Sequence, residues 1–281
     1  MMLLPFYIDE LIKTALAEDI NYIDITTDLL IDGDAASRAF FLSKADGVLA
    51  GLDAACRVME LLDGNVETKK HFKDGDKIKK GDIIAEFYGK TAALLKAERT
   101  SLNILQHMSG IATYTAKCAE QIAGTGARIA DTRKTLPGLR ALQKYAVLCG
   151  GGFNHRYNLS DAALIKNNHI DAYGSLTKAV EALRSKIGHM ANIEAEVRDF
   201  AELNQALDAG VKIILLDNMS LDAMKEAVGL TNGRALLEAS GNITLKNIRE
   251  VALTGVDIIS IGALTHDAEA FDVSLRFKKP S

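Results

Sequence analysis

The residues best suited to chemistry lie between Arg128 and Lys166. This stretch contains seven lysine or arginine residues against two aspartates, a local charge of +5 in a chain whose formal net charge is −4. Threonines and the triple glycine at 150–152 separate the basic residues, and glycine lets backbone N–H groups approach an anion closely. Arginine binds carboxylate or phosphate with paired hydrogen bonds, whereas lysine acts as a point charge. A solvated basic surface is the alternative, but the glycine-rich turns favour a site for a small anion.

A second group consists of carboxylates. Glu194 and Glu196 are two residues apart, which places both on one face of a strand, and Asp217 and Glu238 end the next two apolar runs. Mg²⁺ takes one or two carboxylates together with substrate oxygens. Carboxylates beside an anion-binding cluster therefore suggest a magnesium site, although acidic strand ends also pair with lysines.

Two short segments near the C-terminus resemble phosphate loops. They are Ser240-Gly241-Asn242 and, one unit later, Gly262-Ala263, and the last two βα loops of a barrel commonly bind phosphate through backbone N–H groups. The sequence contains no GxxxxGK[ST], no GxGxxG after a strand and no HExxH. The histidines form no close pair of metal-ligand type, and only His155, beside Arg156, is assigned to the site.

The elements that must position these residues alternate between strands and helices. Six apolar runs end in polar residues, and helical patterns separate several of them, as in a parallel sheet. Six runs do not by themselves distinguish a closed barrel from an open sheet. Polar residues at the C-terminal ends of several strands favour a barrel, because barrel enzymes build their sites there. The runs are 128–131, 163–166, 193–197, 212–217, 235–238 and 256–262.

The first hundred residues have a different pattern. An amphipathic helix is predicted around residues 8–16, followed by β-like runs at 38–44 and 82–88 with turns such as Asp74-Gly75. These turns resemble those of lipoyl-type β-sandwiches, and the structural interpretation is preferred over a lipoyl-bearing one. A helix is predicted over 91–122, with an interruption at Ser109-Gly110.

Composition excludes several classes of protein. The chain of 281 residues is 48% hydrophobic and 25% charged, which is ordinary for a globular protein of one or two domains. Its slightly acidic balance and lack of tryptophan disfavour nucleic-acid binding. No apolar stretch approaches the length of a membrane span. Three cysteines without CxxC spacing predict a reducing, cytoplasmic location.

Blocks distributed over nearly the whole chain resemble the quinolinate phosphoribosyltransferase family. The blocks are Glu98-Arg99-Thr100, Asp131-Thr132-Arg133-Lys134-Thr135, Gly150-Gly151-Gly152-Phe153-Asn154-His155-Arg156, Leu164-Ile165-Lys166, Glu194-Ala195-Glu196, Leu216-Asp217-Asn218, Glu238-Ala239-Ser240-Gly241-Asn242 and Gly262-Ala263. The resemblance implies an α/β fold in which an N-terminal α/β sandwich (1–110, joined by the tail 267–281) precedes an incomplete, about seven-stranded α/β barrel (111–266).

The resemblance also implies a reaction. The family transfers phosphoribosyl from 5-phosphoribosyl-1-diphosphate to quinolinate with Mg²⁺, giving nicotinate mononucleotide, CO₂ and diphosphate. Lys134, Lys166, Glu196 and Asp217 would be catalytic. Glu196 and Asp217 would hold the metal, directly or through water. The family also implies a homodimer, or an assembly of dimers, with shared active sites. The substrate-binding set would comprise Arg99 (supplied by the neighbouring subunit), Thr132, Arg133, Lys134, His155, Arg156, Lys166, Glu196, Asp217, Ser240, Gly241, Asn242, Gly262 and Ala263.

Two rival interpretations stay open from the sequence. A paralogous family linked to molybdenum transport operons shares the Thr-Arg-Lys-Thr and Gly-Gly-Gly…His-Arg blocks, and Lys166 argues against it. The other rival is a non-catalytic anion-binding or lipoyl-like interaction protein. Magnesium-dependent release of CO₂ from quinolinate would distinguish all three.

Overall fold

A computed structural model describes residues 5–278 of the chain. The elements up to residue 121 are α1 (Pro5–Asp19), α2 (Ile25–Leu30), β1 (Ala36–Ser43), β2 (Gly47–Val48), α3 (Leu52–Leu62), β3 (Glu67–Lys70), β4 (Lys77–Ile78), β5 (Ile83–Lys90) and α4 (Thr91–Gln121). The remaining elements are β6 (Arg128–Ala130), α5 (Arg140–Cys149), β7 (Ala163–Ile165), α6 (Asn167–Tyr173), α7 (Leu176–Arg184), β8 (Ile193–Val197), α8 (Phe200–Asp208), β9 (Ile213–Asp217), α9 (Leu221–Thr231), β10 (Leu236–Ser240), α10 (Ile248–Ala252), β11 (Ile258–Ser260), α11 (Ala263–His266) and β12 (Val273–Phe277).

These elements form two compact units. The first contains the described residues up to 116 together with 135–151 and those from 265 onwards, and the second contains 117–134 and 152–264. The sequence-based division placed 135–151 in the barrel, whereas contacts join this segment, which includes α5, to the first unit. The reason is visible at Gly150, where an added Cβ would lie 2.4 Å from the Ala112 carbonyl oxygen. Gln143 also donates to the carbonyl of Thr265 at 2.8 Å.

The first unit is built on an antiparallel sheet with strand order β12-β1-β5-β3. The long strands β1 and β5 alternate buried and more exposed residues, as a sheet with one covered face requires. Phe41 on β1 and Phe87 on β5 are diagonal neighbours and pack edge to face, with ring centroids 4.9 Å apart. The tail of the chain supplies β12, which pairs with β1.

Helix α4 runs without a break, so the predicted interruption at Ser109-Gly110 is wrong. Both residues serve packing instead. The buried hydroxyl of Ser109 donates to the Ala50 carbonyl and accepts from the Ala50 N–H, each at 3.1 Å. Gly110 leaves space for the passing chain, because a Cβ there would lie 2.1 Å from the Glu269 carbonyl oxygen.

The second unit contains the parallel sheet that the sequence predicts. All six predicted runs form strands, and their order is β6-β11-β10-β9-β8-β7. The first strand, β6, pairs with the last, β11. This strand order is that of a barrel that is not closed. The two edge strands are β6 and β7, and the opening lies between them. A seventh strand is reduced to a single parallel bridge between Ala130 and Phe153. The fold is therefore an incomplete α/β barrel of six strands plus this bridge.

Helices connect the strands and begin at capping residues. Ser175, Asp199 and Ser220 each accept a hydrogen bond from a backbone N–H in the first turn of α7, α8 and α9, which satisfies a donor that the helix leaves free. Within residues 5–278, no helix is both long and apolar enough to cross a membrane.

We expect Gly110→Ala to destabilise the protein. Helix propensity alone would favour alanine by roughly 1 kcal/mol, but the new Cβ would overlap a backbone oxygen, and such overpacking typically costs about 1–3 kcal/mol. Urea unfolding measures the net change, and Gly64→Ala is the control because nothing lies within 4 Å of a Cβ there. A Gly110→Ala protein as stable as the wild type would contradict this account of α4.

Candidate active site

A cavity of about 340 Å³ lies at the C-terminal ends of the parallel strands. Its position is the one that barrel enzymes use. Strand ends and the loops after β6 supply every lining residue, and all of them belong to the second unit. The lining residues are Thr132, Arg133, Lys134, His155, Arg156, Leu164, Lys166, Glu196, Leu215, Asp217, Glu238, Ser240 and Ser260.

Strand alternation explains why these side chains meet. Residues two apart on a strand point to the same face, so Leu215 and Asp217 on β9 enter the cavity together, as do Glu238 and Ser240 on β10. Between strands, Leu215 is the register partner of both Glu196 and Glu238. The wall of the cavity is therefore formed by layers of strand-end side chains, in which apolar and charged residues are neighbours.

Asp131 ties the loop after α5 to the end of β6. It is fully buried, and its carboxylate accepts hydrogen bonds from the Asn154 side chain at 2.6 Å and from the His155 N–H at 2.9 Å. These hydrogen bonds fix the backbone at His155, so that His155 and Arg156 line the cavity together with Arg133. A buried carboxylate needs such donors, because without them burial of its charge would be costly.

Two arginines that line the cavity each have a buried nitrogen without a hydrogen-bond partner. The Nε atoms of Arg133 and Arg156 are buried without a hydrogen-bond partner, although Nη1 of Arg156 donates to the Ala162 carbonyl at 2.7 Å. Burial, together with the positive charge of Arg133, lowers the pKa of Arg156. An anion in the cavity would supply the missing partners and relieve this repulsion.

Beneath His155 lie two buried carboxylates. The imidazole Nε2 is 2.9 Å from Oε2 of Glu194 and 3.7 Å from Oε1 of Glu238. Burial and the negative charge of Glu194 raise the pKa of Glu238 to about 7. Among the described residues, these three form the one group whose metal-ligand atoms all lie within 4.8 Å of one another. Its imidazole makes it a poor match for Mg²⁺, which prefers oxygen ligands.

Glu196 is the register partner of Leu215 on β8, Asp217 follows Leu215 by two residues on β9, and both carboxylates line the cavity. Burial raises the pKa of Glu196, and the like charge of Asp217 adds to the increase, while Lys166 opposes it. Two neighbouring carboxylates that repel each other are an oxygen donor set suited to a hard divalent cation.

The remaining predicted residues lie near or away from this cavity. Gly241 and Asn242 directly follow the lining residue Ser240, and Gly262 and Ala263 follow β11. None of these four lines the cavity itself. Arg99 is on α4 in the first unit, where it is exposed and lines a separate cavity of about 330 Å³.

The sequence interpretation missed some contributors. Leu164 and Leu215 give the cavity apolar walls, and each stands two residues before a predicted site residue, so strand alternation could have identified them. Asn154 had no sequence signal beyond its place in the block that contains His155. Glu194 and Glu238, interpreted as part of a metal-binding group, instead lie next to His155.

The fold is that of an α/β-barrel enzyme, and the cavity at its strand ends has basic residues of the kind that suit an anionic ligand. Comparison with known families is more specific. Residues 24–109 match the N-terminal domain of quinolinate phosphoribosyl transferase, and residues 111–276 match the C-terminal domain of the same family. The chain therefore belongs to the quinolinate phosphoribosyltransferase family, as its sequence blocks predict.

Individual relatives agree with this assignment. The chain is 43% identical over 258 residues to a probable nicotinate-nucleotide pyrophosphorylase (carboxylating) of Bacillus subtilis, covering 92% of this chain and 89% of that protein. It is 41% identical over 270 residues to the nicotinate-nucleotide pyrophosphorylase of Mycobacterium leprae, covering 94% and 95%. The crystal structure of NadC from Streptococcus pyogenes superimposes with a TM-score of 0.95 at 42% identity, covering 99% of this chain and all of that one.

We expect Glu238→Gln to change how stability depends on pH. The carboxyl has a pKa of about 7 in the folded chain against an ordinary value of 4.5, so folding takes up a proton between these values. The contribution of Glu238 to the free energy of unfolding therefore falls as pH rises through this window. Glutamine has no charge to bury, so the free energy of unfolding of the variant minus that of the wild type should increase from pH 4.5 to 7.5, by roughly 1–3 kcal/mol.

Urea unfolding at several pH values measures this difference. Glu226→Gln, at an exposed position of α9, is a matched control for the loss of one carboxylate. A difference between Glu238→Gln and wild type that is the same at pH 4.5 and 7.5 would contradict the burial of a charge at Glu238.

Proposed function

We propose that the strand-end cavity is where this chain joins quinolinate to the phosphoribosyl group. Its family and its relatives make the chain a phosphoribosyltransferase that converts quinolinate and 5-phosphoribosyl-1-diphosphate into nicotinate mononucleotide, CO₂ and diphosphate, a reaction of NAD biosynthesis. The observation that carries the proposal for the site is the pair of buried, unpartnered Nε atoms of Arg133 and Arg156 in one cavity.

Quinolinate supplies what these arginines lack. It carries two carboxylates, and each can accept a charge-assisted hydrogen bond of the kind that arginine makes well. In this proposal Arg133, Arg156 and His155 bind the two carboxylates, and the apolar walls Leu164 and Leu215 contact the pyridine ring. Loss of CO₂ leaves negative charge on a ring carbon, and fixed positive groups in a sheltered cavity stabilise such charge better than water does.

The phosphoribosyl donor would occupy the other side of the cavity. Lys134 and Lys166 would contact the diphosphate or quinolinate, Thr132 would lie beside them, and the backbone N–H groups of 240–242 and 262–263 would bind the 5-phosphate. As diphosphate leaves, positive charge develops on the ribosyl carbon. The carboxylates of Glu196 and Asp217 stabilise that charge, because an opposite charge that is held in place needs no reorganisation during the reaction.

A magnesium ion fits the same carboxylates. Glu196 and Asp217 repel each other in a partly buried setting, and a divalent cation bound by them would remove that repulsion. When bound, Mg²⁺ would neutralise charge on the departing diphosphate. The chain's own contribution is to hold two oxygen donors together at the end of β8 and β9.

We also propose a homodimer, or an assembly of dimers, with shared active sites. Arg99 is exposed on α4, where it is accessible to a neighbouring chain. The first unit also exposes large apolar side chains on its N-terminal helices, namely Phe6, Ile25, Leu29 and Leu30, with 69–76% of each accessible. Apolar surface of this kind marks interaction sites. A cytoplasmic location stays a prediction that rests on the three free cysteines, Cys56, Cys118 and Cys149.

The purified protein should strongly prefer quinolinate to nicotinate. Nicotinate lacks one carboxylate, so it would leave at least one cation of the arginine pair desolvated and unpaired, and sites built around a polar partner reject such analogues by roughly 10⁴-fold or more. The measurement is kcat/KM for each acid with saturating donor, from the nucleotide formed and, for quinolinate, the CO₂ released. Activity should be lost on chelation and restored by Mg²⁺.

Comparable values for the two acids would refute the two-carboxylate binding mode. Full activity after complete removal of divalent cations would refute the magnesium proposal while leaving the substrate assignment intact.

Mixed dimers test the sharing of active sites. Arg99→Ala and Lys134→Ala should each lower activity strongly, because each removes a cation from every site. If Arg99 acts in the neighbour's site, a dimer with one subunit of each kind contains one site with both cations. Mixing the two variants under conditions of subunit exchange should then restore part of the activity. Verified mixed dimers that stay as inactive as the parents would place Arg99 in its own chain's site.

A further inference from the structure

We propose that Asn218 is a positioning residue that holds the Asp217 carboxylate and the segment 240–242 in one fixed arrangement for the phosphoribosyl donor. The inference rests on the proposed function, which assigns Asp217 and this segment to the donor. Asn218 itself does not line the cavity. It would act through its two neighbours rather than on the reacting atoms.

The side chain of Asn218 connects the ends of two adjacent strands. Its Nδ2 donates to Oδ1 of Asp217 at 2.9 Å, and its Oδ1 accepts from Nδ2 of Asn242 at 3.1 Å. Its backbone N–H donates to the Ser240 carbonyl at 3.0 Å. One residue therefore bonds both to the carboxylate that ends β9 and to the loop that follows β10.

The loop also packs directly against this amide. Gly241 has a φ of +101°, and a Cβ built on it would lie 2.1 Å from Oδ1 of Asn218. Only glycine permits this approach. The loop backbone is thus located by contact with the Asn218 side chain as well as by hydrogen bonds.

The backbone at this point is held in an uncommon conformation. Asn218 and Asn242 have φ values of +53° and +52°, and the only other non-glycine residue with positive φ among residues 5–278 is Asn232. Left-handed backbone costs roughly 1–2 kcal/mol per residue, and it persists where surrounding contacts fix it, often at ligand sites. Both residues are asparagines, which adopt this backbone conformation more readily than most other residues, and their side chains hydrogen-bond to each other.

The link made by Asn218 suits a phosphoribosyl donor that is bound both at its 5-phosphate and near its ribosyl carbon. The 5-phosphate and the ribosyl carbon lie at different places on one molecule, so the spacing between the loop and the Asp217 carboxylate decides whether both are bound together. An amide can orient a carboxylate without neutralising it. Loss of Asn218 should therefore weaken binding of the donor and leave quinolinate binding, which uses residues in the loops after β6 and after α5, unchanged.

Asn218→Gly is the sharpest test, because glycine accepts positive φ and only the amide is removed. Asn232→Gly is the matched control: Asn232 has a φ of +45° and caps α9 at its C-terminal end. In steady-state assays with Mg²⁺, the KM for 5-phosphoribosyl-1-diphosphate should rise by roughly tenfold in Asn218→Gly, the scale of one lost hydrogen bond to a charged group. The KM for quinolinate should stay within about twofold, and Asn232→Gly should match the wild type in both.

Asn218→Asp provides a second test. It keeps an acceptor for Asn242 but places a like charge against Asp217, so the KM for the donor should rise further than in Asn218→Gly. Calorimetric titration of each variant with the donor and Mg²⁺ should reproduce this order without turnover.

An unchanged KM for the donor in Asn218→Gly would overturn the inference. If the wild-type protein converts quinolinate in the same assays, the proposed function still stands. Equal increases in both KM values, with a fall in melting temperature not seen in Asn232→Gly, would also overturn the inference, because that result describes a general structural role. A wild-type protein that neither binds the donor nor converts quinolinate would refute the proposed function, and this inference with it.

Discussion

Register between neighbouring parallel strands decides which side chains meet in the cavity. Glu196, Leu215 and Glu238 are direct partners on β8, β9 and β10, and Asp217 is paired with Ser240 one layer closer to the strand ends. A slip of one residue would turn every one of these side chains to the other face. It would bring in buried apolar residues such as Ala195, Leu216 and Ala239. The chemistry of the site therefore depends on the same hydrophobic alternation that holds the helices on the sheet.

Charges of opposite sign are concentrated in this small space without full compensation. The buried Nε atoms of Arg133 and Arg156 make no hydrogen bond, and neither do the buried Oε1 atoms of Glu194 and Glu238. Each such group lowers the free energy of unfolding, and surrounding hydrogen bonds such as those of Asp131 offset part of that loss. An anion bound in the cavity would give the two arginines the hydrogen-bond partners that the chain itself does not supply.

Outside the cavity, individual side-chain and backbone contacts hold helix α4 and the loop after α5 in place. In the first unit, the continuous helix α4 has glycine at position 110, and the absence of a Cβ there lets the returning chain at Glu269 pass close to the helix. In the second unit, the loop after α5 is held at β6 by Asp131 rather than by a full strand, since only the Ala130–Phe153 bridge joins them. Loops tied by side chains can present more functional groups to a cavity than a strand, whose alternate residues point away.

The sequence by itself determined the six strands, the βα alternation and the basic and acidic residue sets, because hydrophobic period and strand-end polarity are local properties. Its blocks were specific enough to identify the family. Tertiary structure decided what no local pattern encodes. It placed the carboxylates of Glu194 and Glu238 next to His155, a contact that their positions on the strands do not predict. It joined 135–151 to the first unit and made Gly110 a packing residue rather than a helix break. Such outcomes depend on which atoms from distant segments approach within a few ångströms, and residue type and spacing along the chain do not fix those distances.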